Sequence, residues 1–300
     1  MAYDKGDLRS QLATAPKALG ANVAPQYFEF GKSLPTEKTE AGSELWWSRS
    51  QAVVTSFCHL RAGDTLARAG QPDEYIVLMH DRDATTTLTA GGQSEQARGR
   101  SLIVMPPGNS ELCVDRDVDV ARFFTTVSTD LCERSDNAAL YVERDPNVAE
   151  FAPWPDPPGG HRIRVYALDD VPPSPVRFGR LFRCSTLMIN YFYEVGPRDP
   201  SKLSPHHHDD FEQLSLQLGG AYVHHIRTPW TPDIAQWRDD EHYYCTSPSL
   251  TVIPPPSVHT SQAVGDEVHQ LVDVFAPPRF DFSAKVGWVL NADEYPMPPT

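Results

Sequence analysis

The sequence predicts an all-β chain of two β-rich halves joined by a proline-rich connection, and three observations carry that expectation. Twenty-eight prolines stand against 18 glycines in 300 residues, a load that helix interiors tolerate poorly. The apolar residues fall in short runs of strand length, separated by turn residues. A layout of acid, strand, turn, strand and proline corner occurs twice in the same order, as internal repeats do.

Residues 1–45 are polar and turn-rich, with an aromatic patch at Tyr27-Phe28-Glu29-Phe30, and read as an N-terminal arm. From Trp46 the apolar runs begin, at 51–60, 74–80 and 102–105, and define a first β-rich half over 46–127. Residues 128–178 carry Pro146, Pro153, Pro155, Pro157, Pro158, Pro172, Pro173 and Pro175 and read as a linker stiffened by proline. Runs resume at 185–195, 212–218, 221–227, 249–253 and 269–275, which places a second β-rich half over 179–300. In the repeat, Pro72–Asp81 followed by Leu102–Glu111 answers to Asp210–Gly219 followed by Thr251–His259.

Composition narrows the function. Twenty-six basic against 40 acidic residues leave a net charge of −14, which argues against nucleic acid because phosphate binding requires a basic face. No run of 18 apolar residues occurs, and the first residues lack the basic and apolar regions of a signal peptide. Cys58, Cys113, Cys132, Cys184 and Cys245 are odd in number and scattered, as reduced thiols are. A cytoplasmic protein with a small-molecule partner is the expectation.

Chemistry concentrates in Pro205-His206-His207-His208-Asp209-Asp210-Phe211-Glu212. Side chains of an extended strand alternate faces, so His206 and His208 point one way and His207 the other. Continued without a break, that parity puts Glu212, Leu214, Leu216 and Leu218 with the two histidines and leaves Gln213, Ser215 and Gln217 on a solvated face. A bend at Asp209-Asp210 would break the parity. Buried imidazoles and a carboxylate are costly unless paired or bound to a cation. A third imidazole, His259, follows the corner Pro254-Pro255-Pro256. Three neutral imidazoles and one carboxylate suit one divalent transition metal among iron, manganese, nickel, cobalt, copper and zinc. The plain alternative is an exposed histidine run with incidental metal affinity.

His206-x-His208-x-x-x-Glu212, then six residues and Gly219, resembles the first signature of the cupin superfamily. Pro254-x-Pro256-x-x-His259 resembles the second, with proline at the usual glycine. The resemblance implies jelly-roll barrels, with one metal held by His206, His208, Glu212 and His259. The first half resembles a cupin that has lost its metal: Glu74 aligns with Glu212, but Arg68 and Gly70 stand at the histidine positions and Glu111 at that of His259. A bicupin with one metal centre results. Its implied activity is an iron-dependent dioxygenase oxidoreductase. A non-redox isomerase, decarboxylase or lyase, and a non-catalytic small-molecule binder, remain open. Tyr191 and Tyr193, on the strand entering the metal segment, and His225 and Arg227, on the return strand, are the candidate catalytic side chains. The loop 228–242, with Trp230 and Trp237, reads as a lid or as the contact of a homodimer.

Overall fold

The computed structural model describes residues 20–299. Strands dominate: β1 Gln26–Glu29, β2 Glu37–Lys38, β3 Glu44–Arg49, β4 Val53–Leu60, β5 Thr65–Gln71, β6 Tyr75–Met79, β7 Thr85–Ala90, β8 Gln93–Arg98, β9 Ser101–Met105, β10 Gly108–Val114 and β11 Val118–Thr125 make up the first part. A short helix α1, Thr129–Arg134, leads to β12 Arg164–Ala167. The second part holds β13 Gly179–Arg183, β14 Met188–Phe192, β15 Gln213–Gly219, β16 Ala221–Arg227, β17 Glu241–Thr246, β18 Ser249–Ile253, β19 Val258–Val264, β20 Gln270–Phe275 and the helical turn α2 Phe280–Ser283. The all-β expectation holds, as four antiparallel sheets.

Each half pairs a large sheet with a small one. The first half has the order β12-β9-β6-β11-β4-β3-β2 beside β5-β10-β7-β8, and the second β1-β18-β15-β20-β14-β13 beside β17-β16-β19. Two connecting segments cross over. The arm strand β1 adds to the sheet of the second half, Tyr27 opposite Thr251, whereas β12, from the proline-rich segment, adds to the sheet of the first, Val165 opposite Ile103.

Packing explains the sequence patterns. Alternate residues of β6 face two different interiors, Tyr75, Val77 and Met79 into the first half's core and Ile76 and Leu78 into a core shared by both halves. β15 alternates likewise, with Leu214 and Leu216 in the shared core against Ile76, Leu78, Leu102 and Phe123. Gln213, Ser215 and Gln217 therefore lie inside the second half, fully buried, and not on a solvated face. The large sheets of the two halves stack face to face, so their central strands are covered on both sides. Where the first half fills its interior with Tyr75, Val77 and Met79, the second puts glutamine, serine and glutamine. That difference leaves one half packed and the other with room for polar chemistry.

Glu74 and Glu212, aligned by the repeat, have matching duties across the shared core. Glu74 accepts from the Ser185 N–H at 3.0 Å and hydroxyl at 2.7 Å, in the turn between β13 and β14. Glu212 accepts from the N–H groups of Gln51 at 2.8 Å and Ala52 at 3.3 Å, in the turn between β3 and β4. Each buried carboxylate caps the equivalent turn of the other half, so turn N–H groups that would otherwise be orphaned are satisfied.

Candidate metal centre

Three of the four expected ligands meet. His206, His208 and His259 offer nitrogen atoms that all lie within 4.8 Å of one another. Two of them are locked by backbone: His206 and His259 exchange both N–H···O=C bonds, at 3.1 and 2.7 Å, as directly opposed antiparallel residues do. Their rings stand 4.5 Å apart, centroid to centroid, and the His208 ring is 5.2 Å from each.

Hydrogen bonds set the donor atoms. Nδ1 of His206 is 2.9 Å from the Ser204 carbonyl and Nδ1 of His259 is 2.9 Å from that of Ser257. A carbonyl only accepts, so both rings carry their proton on Nδ1 and present a lone pair at Nε2. Nε2 of His259 is buried and has no protein partner among the described residues. A buried, unpaired acceptor is costly, and an incoming cation would satisfy it. Burial pushes His208 down to about 3, against the opposing hydrogen bond from Gln213, and pushes His259 down to about 4. Both imidazoles are thus neutral and able to coordinate near pH 7.

Glu212 is the correction. Its carboxylate points to Gln51 and Ala52 in the other half, and the chain bends at Asp209-Asp210 before β15 opens at Gln213. The parity carried from His208 breaks at that bend, so residue 213 instead of 212 faces the histidines. Oε1 of Gln213 accepts from Nε2 of His208 at 3.0 Å. Nε2 of Gln213 donates to Oδ1 of Asp273 at 3.2 Å, and Oδ1 also accepts from Ser215 Oγ at 2.7 Å. The Asp273 carboxyl therefore fixes which end of the Gln213 amide faces the imidazoles. Burial raises Asp273 to about 7, with the Ser215 bond pulling the other way. The set on offer is three imidazole nitrogens, and it fits a borderline divalent metal.

The histidines open onto a cavity of about 740 Å³, lined by His206, Gln213, Tyr222, His259 and Asp273 and by Phe178, Phe192, Phe275 and Phe282. Of the candidate catalytic side chains, only Tyr193 reaches it, with its hydroxyl donating to the Pro172 carbonyl at 3.0 Å. Tyr191 is fully buried in the shared core, its hydroxyl 2.6 Å from His80 Nδ1 of the first half. His225 and Arg227 lie on the outer face of β16, His225 beside His242 at 2.7 Å and Arg227 paired with Asp240. Parity along β16 separates His225 and Arg227 from Tyr222 and His224, and the interior takes Tyr222 and His224. His224 is fully buried, hydrogen-bonded to Ser261 at 2.9 Å and to Gln217. Asp273 and Gln213 were missed; the bend at Asp209-Asp210, which shifts the parity by one, is the signal that points to 213.

In the first half, Glu111 and Gly70 are exposed, and Arg68 bonds Asp130 and Gln71. The loop 228–242 carries Trp230 and Trp237 stacked with centroids 4.5 Å apart on its surface. Among the described residues, no helix is long and apolar enough to cross a membrane.

Neither a protein-family model nor a curated protein sequence matches the chain. Solved structures do. The oxalate decarboxylase of Lactobacillus farciminis, in a formate complex, is similar with a TM-score of 0.58 at 15% identity, over 87% of this chain and 88% of that one. A serine-to-alanine variant of the Bacillus subtilis oxalate decarboxylase gives 0.57 at 13%, over 85% and 78%. A tryptophan-to-tyrosine variant of the same protein gives 0.56 at 14%, again over 85% and 78%. The double-sheet halves, their face-to-face stacking and this likeness agree: the chain shares the fold of these oxalate decarboxylases.

Proposed function

We propose that the chain is a divalent-metal enzyme acting on a small organic carboxylate, with lyase or isomerase chemistry beside that carboxylate. One observation carries the reading: the buried, partnerless Nε2 of His259 stands with two further imidazoles on the wall of a cavity that also holds a buried carboxyl, Asp273. The fold shared with oxalate decarboxylases supports it, because those proteins act on a carboxylate. His206, His208 and His259 would hold the metal, which when bound supplies a Lewis acid to polarise a substrate oxygen. The Ser204 and Ser257 carbonyls keep two of the rings in the Nε2-donor form. Gln213 orients His208, and Asp273 both orients Gln213 and offers an oxygen that holds or moves a proton within the cavity. Phe178, Phe192, Phe275 and Phe282 limit the access of water.

A second reading, an iron-dependent dioxygenase, is favoured by the small number of protein donors. Three imidazoles leave room on a six-coordinate metal for substrate and dioxygen side by side. Elemental analysis of protein purified without added metal tests both readings, followed by turnover of a panel of small carboxylates with and without oxygen. About one equivalent of transition metal and anaerobic turnover is the result expected of the first. Substrate-dependent oxygen uptake with bound iron selects the second. Absence of bound metal after incubation with manganese, iron and zinc salts overturns both.

A further inference from the structure

The cavity at the histidines says more about its occupant than that it carries a carboxylate. We propose that the substrate joins a single anionic head to an aromatic or similarly bulky apolar body, and that Arg198 receives the head; the proposal rests on the metal-site reading above. Size is the first argument. About 740 Å³ lies well inside the ~300–1,000 Å³ of sites that enclose whole organic molecules. A dianion of oxalate size would leave most of the wall uncovered.

The wall itself is the second argument. Phe178, in the bend before β13, stands 5.8 Å from Phe192 of β14 and 5.5 Å from Phe282 of α2. Phe282 in turn lies 6.1 Å from Phe275 at the end of β20, and Phe275 lies 6.0 Å from the His208 ring. Aromatic surface therefore runs from the outer turn to the edge of the histidine cluster. Phe178 is 43% exposed, so its ring offers surface at the outer end of this wall. Tilted and edge-to-face rings are the surroundings in which another ring packs well.

Charge is the third argument. Two guanidinium groups line the cavity, Arg198 and Arg279. Asp281 answers Arg279, at 2.6 and 3.0 Å, and Phe282 covers its face at 3.7 Å. Arg198 has no carboxylate partner among the described residues. It donates from Nη1 to the Ser261 carbonyl at 3.0 Å and from Nη2 to Ser204 Oγ at 2.8 Å and the Lys202 carbonyl at 3.5 Å. Those bonds fix the plane of the group while its Nε–H and one Nη1–H stay without a protein acceptor. A pre-oriented, uncompensated guanidinium beside a cavity is suited to one carboxylate. Among the described residues that line the cavity, Arg198 is the guanidinium without an acidic partner, which matches one negative head.

Titration calorimetry on the zinc-loaded chain, with trans-cinnamate, acetate and oxalate as probes, tests the proposal, and the metal content of the same sample is measured alongside. Cinnamate should bind at least about tenfold more tightly than acetate or oxalate, the gain expected from burying roughly 60 Å² of ring. Phe282→Ala should erase most of that advantage and leave acetate unchanged. Arg198→Gln should weaken cinnamate and acetate alike, and Arg198→Lys should recover part of both. Oxalate or acetate binding as tightly as cinnamate, no binding of cinnamate, or an unaltered ratio in Phe282→Ala would overturn it. A sample that retains no zinc yet still prefers cinnamate would sink the metal reading and leave the substrate class standing.

Discussion

A carboxylate that already accepts backbone N–H groups from Gln51 and Ala52 has little capacity left for a metal ion. Glu212→Gln should accordingly leave metal content unchanged while lowering stability by about 1–3 kcal/mol, because the replacement amide can satisfy only part of what the carboxylate did. Elemental analysis and urea unfolding of one preparation separate the two effects; loss of metal from a folded variant would return Glu212 to the ligand set. His259→Ala should do the reverse, with most of the metal gone and the fold kept. Acid should act late on this centre. Burial holds His208 near 3 and His259 near 4, whereas a free imidazole takes its proton at ~6.5. Between those values the unfolded chain binds more protons at these sites than the folded one. Their contribution to stability is therefore complete above pH ~6.5 and declines as pH falls toward 4. Burial raises Glu212 and Asp273 to about 7, which works in the opposite sense: the folded chain holds extra protons from pH ~4 to 7, and that support fades as pH rises through 7. For the metal, the expected outcome is retention well below pH 6 and release toward pH 4, read as metal content after equilibration from pH 4 to 8. Full release already at pH 6 would contradict the buried positions of these rings.

At the scale of the strand, β15 shows what a sequence discloses and where it misleads. His206, His208 and His259 were legible because two motifs of fixed spacing carry them. The alternation Gln213-Leu214-Ser215-Leu216-Gln217 was legible as a strand, but polar residues at every second place read as a wet face. They are buried, since the shared core takes the leucines and the interior of the second half takes the rest. A central strand between two cores gives the same pattern as an edge strand facing water whenever one core is polar. The same limit hid the inward residues of β16, where parity sorted Tyr222 and His224 from His225 and Arg227 without saying which pair faced inward. Side-chain direction after a two-residue bend depends on the bend's dihedral angles, which Asp209-Asp210 does not reveal. The arm is a further element whose weight was invisible in composition. Phe30 is buried and stacks on Phe57 at 4.6 Å, with the rings 2° from parallel. Phe30→Ala should cost about 3–4 kcal/mol, measurable as a shift of the urea midpoint at constant slope.

For the molecule as a whole, the decisive quantity is the core that neither half owns. Leu214, Leu216, Leu250, Val252, Val272 and Val274 meet Phe57, Ile76, Leu78, Leu102, Val104 and Phe123 across it. A fragment of residues 179–300 would expose that whole face and lose the β1 strand as well. It should be insoluble or unfolded when made alone, whereas the full chain should unfold in one transition by circular dichroism and by tryptophan fluorescence. A soluble, folded fragment, or two resolved transitions, would show that the shared core is dispensable. The repeat in the sequence suggested two like units. It was silent on their mutual burial, because Ile76 and Leu216 look like ordinary interior residues of their own strands.

The crossing of β1 also has a meaning in time. Tyr27 is hydrogen-bonded to Glu241, 214 residues further along the chain, and stacks on Tyr243. A ribosome adds about 5–20 residues per second, so this aromatic segment emerges roughly 10–40 s before the strands that will receive it. During that interval Tyr27 and Phe28 are presented to the cell without their partners, whereas Phe30 can already stack on Phe57 of the first half. The first half can complete its own small-sheet core in the meantime, but β1 must stay uncommitted, and sparing it from self-association is a task for whatever attends the chain as it is made.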